Sequence, residues 1–253
     1  MPVTLPESLE MMGTLYRLDP VKAVRGQGFI KILHVYLMDE LDRRLTPWAR
    51  RRGIEVRAEV KILGSHKPKD VDVAVMDPDN GPLMLIGVRS QMSSVGKNQA
   101  NYYESIVGEC ISLQDRFPMC AFGYVYLMPK RPIKLGLESE SIDHARYARM
   151  YAAVTGRGGP DYKNLRGIYD EFAYMVVDFD SLPPALADDT YNTVVRDDLS
   201  IDTFVDRFVA KFNDRFLFWD VFKERSDAAG TNRIAPVGEN RDTLADQLNL
   251  GDA

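Results

Sequence analysis

Between Ile54 and Leu63 apolar and polar residues alternate (Ile-Glu-Val-Arg-Ala-Glu-Val-Lys-Ile-Leu), the period of a strand with one wet face. Gly64-Ser65-His66-Lys67-Pro68 then turns the chain into a second alternating run, Lys69 to Asp77. Asp77-Pro78-Asp79-Asn80-Gly81 follows, and a third run continues to Gln91. Asn-Gly between two apolar runs is a strong hairpin signal. On the first strand of this hairpin Asp70 and Asp72 stand two residues apart, so the period predicts that they share a face. On the second strand Gly87, Arg89 and Gln91 share a face for the same reason. Carboxylates facing polar groups across a hairpin make a compact place for a divalent metal. The competing reading is that Asp70 and Asp72 line the solvated face of an edge strand and that Arg89 is their ion-pair partner.

Elsewhere the period lengthens. Apolar residues at 29, 30, 33, 37, 41 and 45 predict a helix over about 27–50. Tyr103, Ile106, Val107, Cys110, Leu113 and Phe117 form one stripe and predict a helix over 98–117, stopped by Pro118. The polar stretch 91–98, with Gly96 and Lys97, reads as a loop suited to approach a phosphate. Apolar runs at 121–128 and 172–179 read as buried strands. Helices are expected at 141–155, 161–170 and 201–223. The last carries Phe204, Phe208, Phe212, Phe216 and Trp219, an aromatic stripe expected in the core or at a dimer seam. Residues 1–26 read as an arm with a short helix at Glu7–Leu18, and 27–225 as one domain. Residues 226–253 read as a flexible tail with a short helix at Asp242–Leu250. No internal repeat is present.

Strands separated by helices call for an α/β or mixed sheet with helices on both faces. The chain has 253 residues, enough to bury a sizeable core without cross-links. Net charge is −5, which argues against a uniformly basic nucleic-acid binder. Yet residues 1–135 carry 19 Lys and Arg against 15 Asp and Glu, and the remainder 13 against 22. A basic front half fits a DNA-facing surface. The two cysteines, Cys110 and Cys120, lie in apolar runs and read as reduced core residues. The N-terminus lacks the pattern of a secretory signal, and no apolar window is long enough for a membrane span. A cytoplasmic protein is expected. No glycine-rich phosphate loop and no G-x-S-x-G element occurs.

The order helix, strand, hairpin, helix, strand resembles the PD-(D/E)XK nuclease superfamily, which includes many restriction endonucleases. The resemblance spans about residues 27–128 and is specific around Pro68-Lys69-Asp70-Val71-Asp72 and Leu85-Ile86-Gly87-Val88-Arg89-Ser90-Gln91. It implies a restriction-endonuclease-like mixed central sheet flanked by helices. It also implies a Mg²⁺ (or Mn²⁺) dependent endonuclease acting on DNA in restriction or defence. Asp72 would bind the metal, with Asp70 as its rival. Gly87 stands where the resemblance requires an acidic residue, and Arg89 where it requires Lys. Gly offers no ligand, and Arg clamps a phosphate but does not accept a proton. Within the superfamily the acidic residue can sit on the following helix, which makes Glu104 and Glu109 candidate metal ligands and catalytic groups. Gln can replace the Lys, which makes Gln91 a candidate. Gln99-Ala100-Asn101-Tyr102-Tyr103 matches a Q-x-x-x-Y element of some relatives. Glu40 matches an accessory Glu of the first helix.

The basic run Arg50-Arg51-Arg52 reads either as a solvated helix end or as a contact to a phosphate backbone. Lys97 is a further candidate for nucleic-acid binding. His34, His66 and His144 show no ligand spacing, and His66 is foremost among them because it abuts the hairpin. A homodimer is expected for double-strand cleavage at a palindromic site, and a cognate methyltransferase or defence partner would accompany such an enzyme. The alternative is a catalytically inactive nuclease-fold domain that binds DNA or a protein partner.

Overall fold

The computed structural model describes residues 3–19, 23, 27–132, 141–187 and 198–223. The expected tail and its short helix lie outside these residues. Helix α1 (Leu5–Leu18) opens with a capping box, in which the Thr4 side chain and the Glu7 carboxylate satisfy each other's backbone N–H groups. Helix α2 (Gln27–Arg44) follows. The helix expected over 27–50 is divided here. Thr46 accepts from Ala49 N–H, Pro47 takes the first position, and a separate short helix α3 (Pro47–Arg51) begins.

The strands are β1 (Glu55–Leu63), β2 (Pro68–Asp77), β3 (Gly81–Ser90), β4 (Ala121–Pro129), β5 (Glu171–Asp178) and β6 (Ala185–Leu186). Between them lie α4 (Val95–Arg116) and α5 (His144–Ala152), and α6 (Ile201–Arg215) closes the described chain. The six strands form one mixed sheet in sequence order. β1–β2 and β2–β3 are antiparallel, β3–β4 and β4–β5 parallel, and β5–β6 antiparallel. The α/β class with helices on both sheet faces is as expected.

Alternation along the strands builds two cores. Val73, Val75, Ile86, Val88, Val125 and Met175 pack with α1, α2 and α6. Ala74, Leu85, Phe122, Tyr124, Tyr126 and Phe172 pack with α4 and α5. The aromatic stripe of α6 is spent inside the chain: Phe204, Phe208 and Phe212 are fully buried in the first core. It is core and not a seam. The helix also ends at Arg215 rather than running to Lys223, where Leu45 and Phe222 form a β-bridge instead. The helix expected at 161–170 is absent. Lys163, Asn164 and Gly167 have positive φ, which a right-handed helix does not accommodate.

Candidate functional site

The alternation of β2 breaks at Asp72. Val71 packs in the α4–α5 core, while Val73 packs in the α1–α2–α6 core, so residues two apart lie on opposite faces. Glu59, in the gap of the β1 register opposite Asp72, has φ of 53°. The hydrogen-bonded ladder between β2 and β3 also stops, its last pair being Val73 and Ile86. Asp72 thus sits where two strands part. Its Oδ2 accepts the Val88 N–H at 2.6 Å, replacing the lost ladder bond with a side chain. Asp70 and Asp72 line the same cavity on the α2 side, as their spacing predicts, and the reversal of faces falls after Asp72.

That cavity holds about 380 Å³ and is lined by Gln27, Ile30, Lys31 and His34 of α2, Glu59 of β1, and Asp70, Val71 and Asp72. His34 is 4% exposed. Neither of its ring nitrogens has a hydrogen-bond partner, and Nε2 lies 3.7 Å from Asp72 Oδ1. A buried imidazole with two unsatisfied nitrogens is costly. Burial holds His34 below the usual histidine range, against the pull of Asp72. Burial likewise holds the Asp72 carboxyl above its ordinary value, against the Val88 N–H and the charges of His34 and Lys69. Two groups shifted toward their neutral forms and facing one cavity make this the candidate functional site.

On the α4 side, Lys69 Nζ pairs with Glu109 Oε1 at 2.7 Å, and both act electrostatically on Asp72. Of the two helix glutamates, Glu109 turns back to the hairpin. Glu104 is exposed and meets none of the hairpin's side chains among the described residues. Arg89 lies over the Tyr102 ring, 4.5 Å from its centre. Burial lowers its affinity for its proton, but Tyr124, Glu109 and Tyr126 overcome this and raise it. Among the described residues no carboxylate pairs with the Arg89 guanidinium, so its five N–H donors remain available to an oxyanion.

The absent acid at 87 has a packing cause. Gly87 pairs with Tyr124 in the β3–β4 register, and a Cβ at 87 would lie 2.5 Å from Tyr124 Cε2. Tyr124 is itself fixed, stacked on Phe172. Gln91 is 4% exposed. Its amide donates to the Ser94 and Val95 carbonyls at 3.3 and 3.4 Å, and its carbonyl accepts from Tyr126. It supports the loop after β3 and does not line the cavity. Gln99 is buried with it, donating to Tyr151 Oη at 2.6 Å.

Other sequence candidates lie elsewhere. Glu40 is bound by Arg43 and Arg44 on its own helix, and His34 takes the α2 position facing Asp72. Arg50 pairs with Asp42, and Arg52 with Asp77 and Asp79 at the far end of the hairpin. Arg51, Lys97 and His66 are exposed. The sequence reading set His34 behind His66 and gave Lys69 no role. The available signal for His34 was a titratable residue set within the apolar stripe of α2.

Among the described residues no group of three or more His, Cys, Asp or Glu side chains is placed to hold a metal ion. The donors at hand are Asp72 Oδ1 and His34 Nε2. Two ligands of one metal at about 2.1 Å each stand roughly 3–4 Å apart, and the observed 3.7 Å falls in that span. The unsatisfied imidazole therefore fits a metal that completes its shell from water and substrate oxygens. A scan against protein-family models and searches of curated proteins and of solved structures find no match to this chain.

Proposed function

We propose that the chain is a metal-dependent endonuclease that hydrolyses DNA phosphodiester bonds with a rebuilt PD-(D/E)XK-like site. The supporting observation is the buried His34 facing Asp72 Oδ1 across a cavity; Arg89, on the α4 side of the sheet, lacks a carboxylate partner among the described residues. Asp72 and His34 would hold the metal, Mg²⁺ or Mn²⁺. When bound, it would neutralise charge on the scissile phosphate and acidify water. Arg89 binds a non-bridging phosphate oxygen and cannot act as the base. Tyr102 holds the guanidinium in place by its ring face. The Val88 N–H fixes one carboxylate oxygen of Asp72 and leaves the other for the metal. Glu109 holds Lys69 by an ion pair at 2.7 Å. The antiparallel three-strand meander, the helix and the parallel fourth strand agree with the order that the resemblance implies. A restriction or defence role follows from that resemblance.

The second reading, an inactive nuclease-fold domain that binds DNA or a protein, is favoured by one observation: Tyr124 seals the place of the missing acid. Plasmid incubated with the protein and Mg²⁺ or Mn²⁺ separates the two. Cleavage that Asp72→Ala abolishes supports the enzyme. DNA binding without cleavage in either metal supports the inactive domain.

A further inference from the structure

The cavity beside β2 offers a metal ion two protein atoms of different chemistry. Asp72 contributes one oxygen, Oδ1, because its Oδ2 is held by the Val88 N–H at 2.6 Å. His34 contributes a nitrogen, Nε2, 3.7 Å from that oxygen. The other carboxylates of the cavity are not gathered around these two atoms. Glu59 is exposed and pairs with Lys31 at 2.7 Å, and Asp70 is exposed and stands opposite Lys61 in the strand register. Among the described residues no third His, Cys, Asp or Glu completes a cluster.

The nitrogen decides which ion suits the pair. Mg²⁺ demands a near-octahedral shell of oxygens, gives up its water reluctantly and is held through carboxylates and phosphate. Imidazole suits the transition ions, whose affinity for mixed nitrogen and oxygen sites rises from Mn²⁺ through Co²⁺ to Ni²⁺. His34 is 4% exposed, and both its ring nitrogens lack partners. A buried polar atom left unpaired is costly. A bond to a transition ion removes that cost at Nε2, and a water-clad Mg²⁺ does not. Nδ1 has no carbonyl or carboxylate behind it, the usual support of a metal-bound imidazole, so the expected affinity is modest.

We propose that His34 makes this site select a first-row transition ion over Mg²⁺, with Co²⁺ bound more tightly than Mn²⁺ and Mg²⁺ most weakly. This rests on the reading of Asp72 and His34 as metal ligands. Calorimetric titration of the full chain with each of the three ions, without DNA, gives the order. His34→Ala weakens Co²⁺ binding by at least about tenfold, the smallest loss expected when even a group behind a ligand is removed, and leaves the weak Mg²⁺ binding in place. His34→Gln, which offers an amide oxygen instead of the nitrogen, narrows the gap between Co²⁺ and Mg²⁺. His66→Ala, which removes an exposed histidine outside the cavity, changes neither. In the wild-type chain, electron spin-echo modulation of bound Mn²⁺ shows coupling to an imidazole nitrogen, a readout that needs no variant. Mg²⁺ bound as tightly as Co²⁺, bound Mn²⁺ without nitrogen coupling, or a chain that binds none of the three ions overturns the proposal. Plasmid cleavage assayed in parallel keeps the two ideas apart. Selection by His34 without cleavage in any ion leaves the proposal and removes the nuclease. Cleavage in Mg²⁺ by a chain that shows no preference for Co²⁺ removes the selection and leaves the nuclease.

Discussion

Asp72 is tied by Val88 to the sheet and by His34 to the cavity, and burial raises its pKa. The sign of the effect on stability follows. The native chain holds this proton more tightly than the unfolded chain, so the contribution of Asp72 falls as pH rises from the ordinary carboxylate range through the raised value. Asp72→Asn keeps the acceptor for Val88 and removes the charge. The metal-free variant should melt a few degrees above wild type at pH 7, a change of about 1 kcal/mol moving Tm by about 2–4 °C at this size. The gap should close as the pH approaches 4, read by thermal melts at both pH values. At Gly87 the forecast is opposite in sign. Gly87→Ala drives a methyl into Tyr124 and should cost about 1–3 kcal/mol in denaturant unfolding. Asp72 was legible in the sequence from its strand and spacing. His34 was not, because its contact with Asp72 spans residues far apart in the chain and its own stripe is apolar.

The hairpin and α4 act as one unit. β2 supplies Asp72 and Lys69, β3 supplies Arg89, and α4 supplies Tyr102, Glu109 and Ser112 as supports. Of the α4 glutamates that the sequence offers to the site, Glu109 approaches as the partner of Lys69, and the side chain that faces Asp72 is His34 of α2. Periodicity placed the strands well because each has a continuous alternating or apolar run. It placed Asp70 and Asp72 on one face but did not show the break beyond Asp72, where Glu59 opposite is left-handed and the faces reverse. It failed at 161–170, where Asn164 and Gly167 direct the backbone into turns. Gly64→Ala tests the contact of the β1–β2 turn with α4, where Ser65 and His66 N–H donate to Ser112. The added methyl meets Ser112 Oγ and the Lys67 carbonyl, and should cost about 1–3 kcal/mol. Hydrogen exchange should rise in residues 64–67 before it rises in β4.

At the scale of the molecule, two cores flank a mixed sheet, and the site lies where the antiparallel half of the sheet opens. The sequence halves differ in charge, and the cavity belongs to the more basic front half. The aromatic stripe of α6 is consumed in the core, so a homodimer would use another face. No described helix is long and apolar enough to cross a membrane. The central claim is that Asp72 and His34 together hold a metal used on a phosphodiester. Supercoiled plasmid is incubated with wild type, His34→Ala and Asp72→Asn in Mg²⁺, in Mn²⁺ and in EDTA, with folding of each variant checked by its melt. Cleavage by wild type in metal, lost in EDTA and reduced at least a hundredfold in both folded variants, is the predicted result. Wild-type protein that leaves plasmid intact in both metals, or a folded Asp72→Asn that cleaves as wild type does, would contradict it.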